Sequence, residues 1–178
     1  MSNDHPLTPG RWNGDPSATH ASFVAWTLWG LIPVRGSLTA RSGHLLVEST
    51  RASGELLLDA ASVDTRIRLR NLHLRTRDYF DSARHPDVRF VAHTLTALSP
   101  DRISIQGELT VAGHTAPVTL QCSTRPQGPD RIELTGQTQV DRRSFAMSGG
   151  QLPGLIPAGV ELAVEVELVR DEDEGLRD

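Results

Sequence analysis

The sequence predicts an all-β domain of antiparallel strands with one or two short helices, and three observations predict it. The first is two-residue alternation: in Val160-Glu-Leu-Ala-Val-Glu-Val-Glu-Leu-Val169, Val160, Leu162, Val164, Val166 and Leu168 share one face and three glutamates take the other. Such a strand has one wet and one dry side. The second is punctuation, since short apolar runs are separated by Gly, Pro, Asp and Ser at the spacing of a barrel or a sandwich. The third is Arg70-Asn-Leu-His-Leu-Arg-Thr-Arg-Asp-Tyr-Phe-Asp81, a charged, helix-compatible crossover that interrupts the strands once. A single interruption is not a βαβ repeat.

Taken in order, residues 1–11 are polar and rich in Pro and Gly and are expected to be flexible. They have neither the basic nor the apolar region of a secretory signal. The run Ser22-Phe-Val-Ala-Trp-Thr-Leu-Trp29 carries large apolar groups on both parities, so both of its faces need cover. The barrel takes one; the crossover or a second copy of the chain, as a homodimer, takes the face of Trp26. Asp59-Ala-Ala-Ser62 and Ser62-Val-Asp-Thr65 offer side-chain oxygens that cap free backbone N–H groups where a strand ends. A helix is expected near Asn71–Phe80, with Asp78 within helical reach of Arg75 or Arg77. Ile103, Ile105, Leu109 and Val111 share an inward face, and Ala112-Gly113 reads as the turn of a hairpin into the next strand. Ile132–Val140 repeats the alternation, and residues 171–178 form an acidic tail.

At 178 residues the chain forms one domain, residues 12–170, able to bury a core without metals or cross-links. Its net charge of −4 and pI near 6.0 give no general attraction to nucleic acid or to an anionic membrane. No apolar run reaches the roughly 18 residues of a spanning helix, so no stable membrane insertion is expected. All 18 basic residues are arginines, a pattern that genomic base composition alone also produces. The one cysteine, Cys122, has no intramolecular partner and falls on an apolar face, where it reads as a small buried hydrophobe. From the unpaired thiol and the lack of a recognisable export signal, a cytoplasmic location is expected.

Five segments resemble the YceI-like family, in the family's order. Val34-Arg-Gly-Ser-Leu38 is similar to its early V-x-G-x-F element. Ser62-Val-Asp-Thr65 with Arg70–Asp81 is similar to its S-x-x-T and R-D-x-H-L-R-S-x-D-F-F-D tract. His85-Pro86 and Phe90 stand where the family has a Pro-led strand, Gly107–Val118 matches G-x-L-T-x-x-G-x-T-x-P-V, and Asp141–Met147 resembles R-S-D-F-G-M. Three positions depart from the pattern: Thr27 stands in place of a frequent His, Asn71 in place of Asp and Ala146 in place of Gly. The resemblance implies an extended eight-stranded antiparallel lipocalin-like barrel that binds a polyisoprenoid, a polyprenyl quinone or a fatty-acid derivative, with no enzymatic step and no other cofactor.

A long apolar tail needs a deep apolar tube, because each methylene left in water loses roughly 0.8 kcal/mol. The inward positions expected to line it are Phe23, Trp29, Val34, Leu38, Phe90, Ile105, Leu109, Leu120 and Val140, and each serves equally well as filler of a solid core. Gly36, Gly107 and Gly136 lean toward a cavity. Arg70, His73 and Arg75 either meet a polar head group or pin the crossover to the barrel. A catalytic or metal site would draw on His73, Asp78, His85, His93 or His114, but their spacing matches no metal or nucleophile signature. The alternative to a carrier is a stress-linked or partner-binding module with a filled barrel.

Overall fold

In the computed structural model, the described residues are 7–27, 30–48, 51–147 and 158–171. They form strands β1 (Gly10–Gly14), β2 (His20–Thr27), β3 (Ile32–Val47), β4 (Ala52–Asp59), β5 (Asp87–Ser99), β6 (Arg102–Val111), β7 (His114–Pro126), β8 (Arg131–Asp141) and β9 (Gly159–Arg170), with helix α1 (Arg68–Leu74) between β4 and β5. Every pairing is antiparallel. Strands β2, β9, β8, β7, β6, β5 and β4 follow one another, and β3 pairs with both β4 and β2, which closes the sheet. Closure removes the open edges that an antiparallel sheet otherwise exposes.

Nine strands fill eight places. Strand β1 pairs with β3 through Gly10↔Val47 to Gly14↔Gly43 and with β9 through Trp12↔Arg170. Strand β2 continues along the same two neighbours from His20↔Thr39 and His20↔Glu165. Between them the chain leaves the wall in a 3-10 turn, Pro16–Ala18, capped by Asp15, whose Oδ1 accepts from the Ser17 N–H at 2.8 Å. The expected eight-stranded barrel is therefore present, with one stave broken. The 16 residues of β3 reach roughly 50 Å at about 3.3 Å each, which makes the barrel an elongated one.

The expected parities hold: Ile103, Ile105, Leu109, Val111, Ile132, Leu134, Val164, Val166 and Leu168 are all buried. The β6–β7 turn is the two-residue kind, with Ala112 at φ 49° and Gly113 at φ 78°, the left-handed pair whose twist matches the flanking strands. Cys122 is buried, and loss of solvent pushes its thiol up to about 12, so it remains neutral filler.

Two expectations are corrected. The barrel begins before residue 12, since Leu7 is fully buried in the core and Gly10 and Arg11 are paired with β3; residues 1–6 and 172–178 lie outside the described residues. The helix is earlier and shorter than Asn71–Phe80. It stops at Leu74 because N–H groups from the next turns take its last carbonyls: Phe80 donates to Leu74 at 3.0 Å and Ser82 to Arg75 at 3.2 Å. Asp78 falls beyond the helix and pairs with neither Arg75 nor Arg77 among the described residues.

Replacing Leu109 with Arg puts an unpaired charge inside the wall, and chemical denaturation should show a loss of at least about 3 kcal/mol. Glu108→Arg, on the outer face beside His93, should stay within about 0.5 kcal/mol. Equal losses would overturn the inward and outward assignment.

Candidate functional site: an apolar cavity at the barrel mouth

The β2–β3 hairpin, the β4–β5 crossover, the β6–β7 turn and the β8–β9 connection all stand at one end of the barrel, the mouth. The crossover lies over it as a roof, and the segment Ser62–Thr65 fastens that roof to β3. The Thr39 N–H donates to Ser62 Oγ at 2.8 Å, and Ser37 and Asp64 exchange backbone hydrogen bonds at 2.9 and 3.0 Å. Val63 between them is fully buried.

Thr65 then ties the segment to α1. Its hydroxyl donates to Asn71 Oδ1 at 2.6 Å and accepts from Arg70 Nε at 2.8 Å, while its carbonyl accepts from Arg70 Nη2 at 2.9 Å. Asn71 also accepts from the Thr65 N–H at 2.8 Å and donates through Nδ2 to Asp64 Oδ1 at 2.9 Å. That last bond explains why an amide fits at position 71. A carboxylate there would face the carboxylate of Asp64, which hydrogen bonds from the Arg66 N–H and the Asn71 amide hold below the usual carboxylate range. On the flank, Arg41 bridges Asp59 and Asp87 at 3.1 and 2.7 Å, linking the two ends of the crossover to β3.

Beneath the roof is a cavity of about 500 Å³. Phe23, Ala25 and Val34 form its floor from β2 and β3, and Val160 contributes from β9. Ile67, Leu69, Leu74, Tyr79 and Phe80 face it from the crossover, and Met147 from the β8–β9 connection. Three polar groups join the lining, Arg70, His73 and Arg142. The His73 ring meets Tyr79 edge-on with centroids 5.1 Å apart, and Phe23 meets Phe80 at 6.4 Å. Arg142 donates to the Met147 carbonyl at 2.7 Å, and the 3-10 turn Arg142–Phe145 that carries it is capped by Asp141. Hydrogen bonds from the Arg143 side chain and backbone lower Asp141 to about 2.

Below the cavity the barrel is packed. A space of only about 70 Å³ remains at mid-height, bordered by Phe90, Ile105, Leu120 and Leu134 among others. The expectation of one open tube along the axis is therefore corrected to a cavity at the mouth above a filled body. The glycines that leaned toward empty space explain part of the filling. A Cβ at Gly36 would lie 2.3 Å from the Phe23 ring, and one at Gly107 would lie 2.1 Å from the Val91 carbonyl oxygen and 2.8 Å from the Phe90 ring, so each glycine lets a phenylalanine close in and Gly107 also admits a neighbouring backbone. Gly136 is likewise closed in by Cys122 and Val164.

Of the nine positions expected to line a tube, Phe23 and Val34 border the cavity, and Phe90, Ile105 and Leu120 border the small space. Leu109 is core, Leu38 and Val140 pack against the core, and Trp29 lies outside the described residues. Arg70 and His73 reach the cavity; Arg75 does not, and its Nε is buried without a hydrogen-bond partner. The missed residues are chiefly those of the roof. Their signal was present in Arg66-Ile-Arg-Leu-Arg70, where aliphatic groups in a charged crossover need something to cover. Among the described residues no three His, Cys, Asp or Glu side chains gather as metal ligands, and His93 contacts Glu108 on the outer wall at 3.3 Å.

A closed antiparallel barrel with an apolar cavity at one end and a helical crossover as its roof defines a lipocalin-like barrel. The YceI-like domain profile matches residues 12–168, and the chain belongs to that family. A UPF0312 protein of Pseudomonas putida is 24% identical over 168 residues, covering 89% of this chain and 85% of that one. Among solved structures, Burkholderia cenocepacia BcnA superposes with a TM-score of 0.74 at 18% identity, over 86% of this chain and 98% of its own. A polyisoprenoid binding domain from Saccharophagus degradans gives 0.74 at 15% identity, over 90% and 98%.

Thr65→Val keeps the shape of this buried residue but strips partners from Arg70 Nε and from Asn71 Oδ1. Thermal or chemical denaturation should show a loss of about 1–3 kcal/mol. Asp141 has a depressed folded-state value, so its contribution is whole above the ordinary 3.8 and is lost as pH falls toward about 2. Carboxyl-resolved NMR titration should find its midpoint near 2, and Arg143→Gln should return it toward 3.8.

Proposed function

We propose that this protein binds a long-chain apolar lipid, of the polyisoprenoid or fatty-acyl class, in the cavity under the crossover, and stores or carries it without altering it chemically. The observation that carries this reading is the cavity itself: about 500 Å³, with ten of its 13 lining residues apolar or aromatic. That volume lies in the range of sites that enclose small molecules, roughly 300–1,000 Å³. Membership of the YceI-like family supports it, as does the likeness in fold to a polyisoprenoid binding domain.

The polar groups in the lining give the ligand a direction. Arg70 and His73 sit on the roof side of the cavity, so a polar head lies under the crossover and the tail runs against Phe23, Ala25 and Val34. Arg70 already commits two of its five N–H groups to Thr65, which positions the guanidinium while leaving donors for a head group. It serves as strut and contact together.

Native mass spectrometry of freshly purified protein should show a bound lipid that denaturation releases. Ala25→Trp, which fills the floor of the cavity, should lower the lipid-bound fraction on the order of tenfold while leaving the barrel folded by circular dichroism. Wild-type protein that emerges with a clean apo mass would overturn the carrier reading in favour of a partner-binding module.

A further inference from the structure

The charge of this protein is not spread evenly. Thr65-Arg-Ile-Arg-Leu-Arg-Asn-Leu-His-Leu-Arg-Thr-Arg77 holds five arginines and no carboxylate, while the rest of the chain holds 13 arginines against 22 acidic residues. The fold lays that segment across the mouth. The net charge of −4 thus conceals a cationic lip on an otherwise acidic molecule. Arg35, Arg68 and Arg77 at this lip are exposed and enter no ion pair among the described residues.

Apolar exposure is concentrated at the same end. Of the six large apolar side chains exposed among the described residues, five stand at the mouth: Leu31 and Ile32 on the β2–β3 hairpin, and Ile67, Leu69 and Leu72 on the crossover. Leu69 is 79% exposed and Leu31 76%. Ile67 and Leu69 also line the cavity, so the exposed patch and the cavity lining are one continuous apolar surface. Nothing in the packing of the barrel calls for aliphatic residues in solvent at these positions.

We propose that the mouth docks on the surface of a bilayer containing anionic lipid, with Leu31, Ile67, Leu69 and Leu72 entering the interface and the lip arginines lying among the head groups. Aliphatic groups alternating with arginines fit that boundary, where apolar burial and attraction to anionic head groups add together. The proposal rests on the carrier reading, to which it adds the route of exchange: an apolar ligand passes between bilayer and cavity without crossing water. Docking of this kind is peripheral and requires no spanning segment.

The test is co-sedimentation of the full chain with vesicles of phosphatidylcholine alone and of phosphatidylcholine mixed with phosphatidylglycerol. The protein should pellet with the mixed vesicles and not with the neutral ones. It should be released as added salt shortens the screening length from about 30 Å to about 8 Å. Arg68→Gln or Arg77→Gln should each weaken the partition about fivefold. Leu69→Ser should weaken it as well, and Arg102→Gln, the same charge change at the opposite end of the barrel, should not.

Equal binding to both kinds of vesicle, or equal effects of Arg68→Gln and Arg102→Gln, would overturn the proposal. So would a dimer in sedimentation velocity that Leu69→Ser dissolves in protein showing no vesicle binding, since a second copy would then cover the patch. Native mass spectra of the same preparations separate the two readings. Retained lipid without vesicle binding removes docking alone, whereas vesicle binding without retained lipid leaves docking standing and removes the carrier.

Discussion

The attachment of the segment Ser62–Thr65 to β3 is the constraint on which the rest of the mouth depends. A closed barrel needs no roof to be stable, and a crossover of charged and aliphatic residues has little reason of its own to lie over an opening. Two reciprocal backbone hydrogen bonds between Ser37 and Asp64, and the Ser62 hydroxyl on Thr39, hold it there. Thr65 passes the constraint to α1 through Arg70 and Asn71. Every roof contact of the cavity, from Ile67 to Phe80, follows from where that short segment is fixed. Because Thr65 is buried, its hydrogen bonds are not exchanged with water, and the geometry they impose is correspondingly firm.

The interior is shaped by aromatic rings as much as by strand number. Eight strands enclose about enough room to be filled by side chains or to hold one small ligand. Here the body takes the first outcome and the mouth the second. Phe90 beside Gly107 borders the small space in the middle and helps to fill it, while Phe23 beside Gly36 lines the cavity at the mouth. The same pairing of ring and glycine thus gives opposite results at two heights.

Much of the fold was legible because strand parity is local: Val160–Val169 and Ile103–Val111 show their buried faces in alternation alone, and Ala112-Gly113 shows its turn. The end of α1 was not, because carbonyls near its C-terminus are taken by N–H groups of Phe80 and Ser82, which lie several residues beyond the helix. The position of the cavity was not legible either. Parity says that Leu109 and Val34 both point inward, but which of them borders empty space depends on the volumes of neighbours across the barrel. The reason for Asn71 in place of the family's Asp lies in Asp64 beside it, a neighbour that the sequence does not reveal; the amide completes a network that a second acid would break.

The end opposite the mouth is sealed by Trp12, Val47, Ile103 and Ile132, each nearly or fully removed from solvent. A vessel closed at its foot is a sac and not a pipe. A ligand of the class proposed above would enter tail first and leave head first by the same doorway. Under the carrier reading proposed above, a sac of this kind would travel with its cargo and turn the same face toward the giver and the receiver, where a pipe would stay in place.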